Sequence, residues 1–445
     1  LKQGVLGDLE DAKLSLQSPP LVFGDLVITG SANGEGKPSR GAYGDIRAWD
    51  ADTGELRWTF HTVPRPGEPG HETWEGDSWR NRSGVNNWGF MTVDAERGIL
   101  YVPLGSPTTD FYGADRHGDG LYGNSLVALN AETGELLWHQ QLVHHDLWDF
   151  DPAAAPVLFE AERDGRTIPA VAQITKPSLL FAFNRVTGEP LYGMEERRVP
   201  QSQVPGEQTA PTQPFPMKPP PLSRVSFDEA DIYNLTPEHA AFCRDLYERN
   251  QMKPVELYTP FPLDQNVLMF PSTLGGGGWG GVVWDPDRDL LITNVNNMGQ
   301  WGHMEKRPEG EPGDPYFRTS SYGSYARFWN VANKVPCTNP PFGELVAVDT
   351  STGDIAWRSP LGTTPELEAL GVKDSGAISL GGGIATAGGV FFIAATNDSR
   401  FRAFNTETGE LLWDQPIDAN GHTIPITYQG KDGRQYVAIL SLIHI

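Results

Sequence analysis

The chain has 445 residues and a net charge of −23, so it exceeds one ordinary compact domain unless built from repeats, and its acidity argues against nucleic acid or an anionic membrane surface as a partner. Fifty glycines, 37 prolines and 13 tryptophans supply many turns and large anchors, which points to an all-β architecture. Two cysteines without a Cys-x-x-Cys are too few for a disulfide framework and exclude a haem attachment motif or a zinc site of that type.

No apolar run reaches the roughly 18 residues of a membrane span. Leu1-Lys2-Gln3 is not a natural start and no signal peptide follows, so the N-terminus is expected to be missing and the compartment stays open.

Taken in order, the chain repeats one pattern five times: an apolar strand, Asp or Asn, two residues, Thr-Gly, an acidic residue and a run to Trp or Tyr. The copies are Asp50, Thr53-Gly54-Glu55, Trp58; Asn130, Thr133-Gly134-Glu135, Trp138; Asn184, Thr187-Gly188-Glu189, Tyr192; Asp349, Thr352-Gly353-Asp354, Trp357; and Asn405, Thr408-Gly409-Glu410, Trp413. An alanine precedes each Asp or Asn by two, at 48, 128, 182, 347 and 403, in steps of 80, 54, 165 and 56. Each copy predicts a hairpin in which Gly takes the positive-φ position, Asp or Asn accepts turn amides, and Trp packs between neighbouring sheets. A unit near 54 residues suits a four-stranded propeller blade. The two long steps are expected to hold a further blade with a degraded turn, at 93–100 and 284–291, plus an insertion.

Between the second and third copies stands His144-His145-Asp146-Leu147-Trp148-Asp149, at the end of a strand-like run. Strand ends in repeat folds are where side chains converge on a site. Trp148 and Phe150 flank Asp149 and would raise its pKa by desolvation unless a cation sits beside it. Asp149 is a candidate general base or metal ligand, with His144, His145 and Asp146 as candidate partners for substrate hydroxyls. The same residues would also suit a loop whose Asp and His groups satisfy backbone donors.

Residues 197–225 carry eight prolines and predict an extended loop without a strand ladder. A helix follows, with Thr236 as N-cap and Pro237 at its first position, running to about Asn250. We take 197–255 as a Pro-rich and helical insertion over one face of a partial propeller spanning 1–445. Leu440 to Ile445 break the alternation before them and are expected to be an artefact at the end of a fragment.

The repeat together with His-His-Asp-Leu-Trp-Asp resembles the quinoprotein dehydrogenases that use pyrroloquinoline quinone (PQQ). The resemblance is closest to the membrane-type glucose and quinate dehydrogenase branch and covers nearly the whole chain. It implies an eight-bladed β-propeller, incomplete in this fragment, with PQQ and a Ca2+ or Mg2+ ion near its axis. Gly30-Ser31-Ala32-Asn33-Gly34-Glu35 is similar to the segment whose carboxylate binds the cation, which makes Glu35 a metal ligand. Asn86-Asn87-Trp88-Gly89-Phe90 is similar to the motif whose Trp floors the quinone, the role of Trp88. Thr108 falls where alcohol-oxidising relatives place a ligand Asn, and would ligate through its hydroxyl or only line the site. Asp149 matches the catalytic aspartate and also serves as a metal ligand. Lys176, 27 residues on, matches the cation beside the quinone oxygens in the glucose-type branch. Asn294 aligns with another quinone-side residue, with Asn296 as a rival one strand period away. The first blade of the family, with a quinone-contacting Arg and a substrate-side His, would lie upstream of Leu1.

The activity implied is oxidation of a sugar or polyol hydroxyl by general-base-assisted hydride transfer to PQQ. Electrons would leave to ubiquinone or a cytochrome c, and the location would be periplasmic, with any membrane anchor in the missing segment. Two rivals share parts of the pattern: a methanol/ethanol-type quinoprotein alcohol dehydrogenase and a non-catalytic propeller scaffold of the outer-membrane assembly type. Lys176 and Thr108 argue against the first, and Asp149, Lys176 and Trp88 together argue against the second.

Overall fold

Each of the five Thr-Gly segments folds as the outer hairpin of a β-sheet. The structure is a computed structural model that describes residues 15–16, 18–31, 41–80, 82–163, 165–234, 236–323 and 325–441. In every copy the Asp or Asn Oδ1 accepts the amides two and three residues on, as Asn130 does from Glu132 and Thr133 at 2.9 and 3.1 Å. The turn glycines all have positive φ, between 72° and 76°.

Among the described residues these hairpins complete five antiparallel sheets with neighbouring strands consecutive in space. Blade 1 comprises Leu21–Phe23, Leu26–Thr29, Ile46–Asp50 and Leu56–Phe60. Blade 2 comprises Thr92–Asp94, Ile99–Pro103, Ser125–Asn130 and Leu136–Gln141. Blade 3 has only Val157–Arg163, Arg166–Ile174 and Leu180–Asn184, because Pro190 lacks the amide a fourth strand needs and the pairing shrinks to a single bridge with Phe183. Blade 4 comprises Gly277–Asp285, Leu290–Asn296, Gly343–Asp349 and Ile355–Pro360, and blade 5 Gly383–Thr386, Val390–Ile393, Arg400–Asn405 and Leu411–Pro416. A hairpin of Ile426–Gln429 and Gln435–Ala438 follows. The first strands of blades 2 to 5 touch in turn, which gathers them around a common axis as in a β-propeller.

The repeated residues explain the stacking. The alanine lies opposite the Trp across the outer hairpin in four blades, leaving room for the indole. That indole reaches the turn of the next blade: a Cβ on Gly134 would lie 2.5 Å from Trp58, and one on Gly188 2.8 Å from Trp138. Trp138 Nε1 donates to Arg185 O at 3.2 Å, Trp357 Nε1 to Thr406 O at 2.9 Å, and Tyr192 Oη to Thr350 O at 2.6 Å. In each case the acceptor directly follows the turn Asp or Asn, so one blade's aromatic side chain caps the next blade's turn.

Two expectations need correction. The turns at 93–100 and 284–291 do not mark extra blades. They are the first hairpins of blades 2 and 4, and the extra length of the long steps is inserted chain. The Pro-rich stretch does pair, as a two-stranded ribbon of Met194–Arg198 with Thr212–Pro216. Pro214 and Pro216 are two residues apart, so both missing amides fall on the ribbon's outer edge and no ladder bond is lost.

The predicted helix is Pro237–Arg249, with Thr236 Oγ1 accepting His239 N at 3.1 Å. It packs through Cys243 and Leu246 on a further sheet, Lys253–Pro254, Val267–Met269, Gln300–Lys306 and Tyr316–Thr319. The last two of these strands interrupt blade 4 between its second and third strands. A disulfide joins Cys243 in the helix to Cys337, 94 residues on.

Candidate active site

The His144–Asp149 loop is organised by Asp146. Its buried carboxylate accepts Trp148 N and Phe150 N, both at 2.8 Å, and Asn124 Nδ2 at 2.9 Å. Trp148 and Phe150 stack at 6.1 Å under Tyr258, and Trp148 Nε1 donates to Thr259 O at 2.9 Å. His145 spans Gly118 O and Glu207 Oε1 at 2.9 and 2.7 Å, while His144 spans Gln141 and Glu196. The two histidines and Asp146 are therefore engaged in holding the loop, and the expectation that they meet substrate is corrected. The aromatic pair is fixed on one side of the loop, and Asp149, between them in sequence, takes φ 60° and lines a cleft. A non-glycine residue held in that region costs of order 1–3 kcal/mol, which the anchored neighbours sustain.

Asp149 meets Lys176, which stands just beyond the Arg166–Ile174 strand of blade 3. Lys176 Nζ donates to Asp149 Oδ1 at 2.6 Å and to Asp151 Oδ2 at 3.2 Å. Asp151 Oδ1 accepts Ser106 N at 2.6 Å and Ser106 Oγ at 2.9 Å, and Trp88 Nε1 approaches Asp151 Oδ2 at 3.3 Å. The ammonium lies 5.7 Å from the Trp88 ring centroid. Gly105 leaves room here, since a Cβ would crowd Asp151 Oδ1 at 3.1 Å and Trp88 Nε1 at 3.3 Å.

The electrostatics separate the two carboxylates. Burial raises the pKa of Asp149 well above the usual aspartate value; Lys176 pulls it down, and Asp110 and Asp151 push it further up. Burial also works against ionised Asp151, but Lys176 and the Ser106 donors outweigh it and hold that pKa low. Lys176 is desolvated too, yet its two carboxylates keep its pKa raised and the side chain charged.

The cleft has a volume of about 500 Å³. Trp88, Asp149, Asp151 and Lys176 line it from the connections of blades 2 and 3, Gly277, Gly278 and Trp279 from the first strand of blade 4, and Tyr325 and Arg327 from the inserted chain. A second cleft of similar volume beside the Pro-rich ribbon, lined by Arg197, Phe215 and Val225 among others, has no such carboxylate–ammonium pair.

The structure thus brings Asp149, Lys176 and Trp88 together. Thr108 is buried, its Oγ1 bonded to Ser83 Oγ at 2.9 Å, two residues beyond the Ser106 that grips Asp151. Asn294 binds blade 5 instead of lining the cleft, donating to Ser379 Oγ at 2.8 Å and Gly381 O at 3.1 Å. Asn296 donates to Gly275 O at 3.2 Å, just before the glycines of the cleft wall. Glu35 lies outside the described residues. Sequence reasoning missed Asp151, Ser106, Trp279, Tyr325 and Arg327. The i+2 spacing of Asp151 from Asp149 and the Gly-rich run before Trp279 were available signals; nothing local marks Tyr325 or Arg327.

A family profile described as the β-propeller domain of PQQ-dependent glucose/ethanol/alcohol dehydrogenases matches residues 1–437. The chain belongs to this quinoprotein dehydrogenase family. It is 33% identical to the quinate/shikimate dehydrogenase (quinone) of Acinetobacter baylyi over 99% of this chain and 56% of that protein. It is 32% identical to the quinoprotein glucose dehydrogenase of Escherichia coli over 95% of this chain and 54% of that protein. Among solved structures, the quinohemoprotein alcohol dehydrogenase of Comamonas testosteroni superposes with a TM-score of 0.67 at 26% identity, covering 99% of this chain and 57% of that one. The chain spans about half the length of the curated relatives it matches.

The cleft of this quinoprotein chain suits a flat, polar-edged aromatic group. Its volume lies within the range of small-molecule sites. Trp88 and the 41%-exposed Trp279 bring indoles to its lining, and Lys176 brings an ammonium to the same space. No described helix is long and apolar enough to cross a membrane.

Proposed function

We propose that the whole protein is a PQQ-dependent dehydrogenase that oxidises a hydroxyl of a cyclic polyol or sugar, the substrate class named by its quinate/shikimate and glucose relatives. The observation that carries this reading is a buried carboxylate, Asp149, paired with Lys176 at 2.6 Å in a cleft lined by Trp88.

Bound PQQ supplies the two-electron acceptor, and the protein orients and polarises it. Trp88 offers its ring face as a stacking floor, worth on the order of 0.5–1.5 kcal/mol beyond burial. Asp149, with one carboxylate oxygen on Lys176, accepts the proton of the substrate hydroxyl as general base. Lys176 holds a positive charge against the oxygen that gains electron density. Asp151, gripped by Ser106, positions Lys176. A hard divalent cation, Ca2+ or Mg2+, would be held by Glu35, Asp149 and Thr108 as oxygen donors and would act as a Lewis acid. Asn294 ties blade 4 to the chain entering blade 5. Electrons pass on to ubiquinone or a cytochrome c. A periplasmic location agrees with the Cys243–Cys337 disulfide, which an oxidising compartment preserves.

The test is reconstitution with PQQ and Ca2+ or Mg2+, followed by quinone absorbance, then a panel of quinate, shikimate, glucose, glycerol, ethanol and methanol with a dye acceptor. A kcat/KM for ethanol or methanol above that of every polyol would move the protein to the alcohol branch. Failure to bind PQQ would favour a non-catalytic scaffold.

A further inference from the structure

The charges in the cleft balance in number, two carboxylates against two cations, but not in pairing. The ammonium of Lys176 is answered twice, by Asp149 and Asp151. Arg327 lines the same cleft, and its buried Nε has no hydrogen-bond partner. The Trp329 ring lies 5.6 Å from its guanidinium carbon. Arg318 stands in the strand Tyr316–Thr319 of the same inserted chain, 2% exposed, between the rings of Phe261 at 4.3 Å and Phe111 at 4.7 Å. Its Nε and Nη1 are buried without partners, and Nη2 makes one long bond to Trp301 O at 3.4 Å. Neither guanidinium forms an ion pair among the described residues. Asp149 acts on Arg318 only through space, since its hydrogen bond goes to Lys176, and Asp110 accepts Tyr325 Oη at 3.0 Å.

Two guanidiniums without an ion pair among the described residues are out of place in a chain with 57 acidic and 34 basic residues. A buried charge is ordinarily paired; Arg318 is buried and Arg327 half-buried, and desolvation depresses the pKa of both. Both come from the inserted chain, whereas Trp88, Asp149 and Lys176 come from the blades and their loops. A planar guanidinium fork matches a carboxylate in two-pronged fashion, which a sugar hydroxyl cannot reproduce.

We propose that Arg327, with Arg318 behind it, binds a carboxylate of the substrate, so that this cleft takes polyhydroxylated acids in preference to neutral sugars. The inference rests on the reading of the cleft as a PQQ-dependent dehydrogenase site. PQQ also carries carboxylates, so one arm of the test measures the cofactor.

The experiment uses the full-length enzyme loaded with PQQ and compares quinate with methyl quinate, which keeps the ring and hydroxyls but lacks the negative charge. The kcat/KM ratio of acid to ester should be about tenfold or more in the wild type, the scale of a charge-assisted hydrogen-bond pair, and should collapse towards unity in Arg327→Gln. Arg327→Lys should retain part of the preference and serves as the second variant where the glutamine form does not fold. The Kd for PQQ, from absorbance titration, should stay within about threefold, because the arginine is assigned to substrate. An equal or ester-favouring ratio in the wild type, or an unchanged ratio in the variants, overturns the proposal. So does a large loss of PQQ affinity with the ratio intact, which assigns the guanidinium to the cofactor. Calorimetric binding of quinate and methyl quinate separates the two readings. Discrimination that Arg327→Gln removes, in a protein without PQQ-dependent turnover, keeps the carboxylate site and refutes the dehydrogenase reading. Polyol turnover without acid preference does the reverse.

Discussion

Asp149 shows how a single residue is prepared for proton transfer. Its backbone sits at φ 60°, its carboxylate is desolvated, and one ammonium holds it. Asp149→Asn removes the base and little of the stacking surface, so kcat should fall about 10²–10⁴-fold while PQQ titration stays near wild type. Near-wild-type turnover in that variant would remove Asp149 from the mechanism. The base must be ionised to accept a proton. Because its pKa is raised, kcat/KM should be lost as pH falls through a value above the usual aspartate pKa of about 3.9. Lys176 is the influence that lowers that pKa, so Lys176→Met should move the acid limb of the profile to higher pH; a limb that stays or moves down contradicts the pairing. Asp149, Lys176 and Trp88 were legible because each sits in a motif of fixed spacing. Asp151 was not, because its importance comes from Ser106 and Lys176, which are 45 and 25 residues away and meet it only in the fold. The two histidines misled for the opposite reason: imidazoles near a catalytic carboxylate suggest chemistry, and only their partners Glu207, Gln141 and Glu196 show that they brace the loop.

The outer hairpins were readable because turn chemistry is local: an Asx side chain, a threonine and a positive-φ glycine act within five residues. The inserted chain was not, because its sheet pairs Val267 with Gly302, 35 residues on, and its ribbon hides prolines on an outer edge. The hairpins offer a controlled comparison. Gly54 and Gly188 have φ of 72° and 76°, but a Cβ on Gly54 meets open space and one on Gly188 meets the Trp138 indole at 2.8 Å. Alanine at either position carries the left-handed strain, roughly 1–2 kcal/mol, and only Gly188→Ala adds the clash between blades. Urea denaturation should therefore show a larger loss for Gly188→Ala than for Gly54→Ala. Equal losses would mean that the indole contributes nothing to blade stacking. In the inserted chain, the Cys243–Cys337 bridge closes a separation of 94 residues, which the chain-entropy model values at about 4–5 kcal/mol. Cys243→Ser with Cys337→Ser should lower the thermal midpoint clearly, and an unchanged midpoint would show that packing of the helix on Leu268 and Trp301 suffices.

At the scale of the molecule, the blades touch chiefly their sequence neighbours, so stability is mostly a sum of local interfaces. The cleft departs from that rule. Trp88 lies in the chain entering blade 2, Asp149 and Asp151 between blades 2 and 3, Lys176 in blade 3's turn, Gly277 to Trp279 in blade 4, and Tyr325 and Arg327 in the inserted chain. A ligand that fills this space joins parts that the repeat leaves to pairwise contact. By linkage, a ligand bound only to the folded state at a hundredfold excess over its Kd stabilises it by about 2.7 kcal/mol. Saturating PQQ with Ca2+ should therefore raise the thermal midpoint of the protein, and the rise should shrink with PQQ concentration as that relation requires. Trp88→Ala removes the stacking floor without touching the outer hairpins, so its own unfolding without PQQ should change less than its response to PQQ. A midpoint that ignores PQQ in the wild type would mean that the quinone does not bind in this cleft. A response that Trp88→Ala leaves intact would move the cofactor away from the indole while keeping it on the protein.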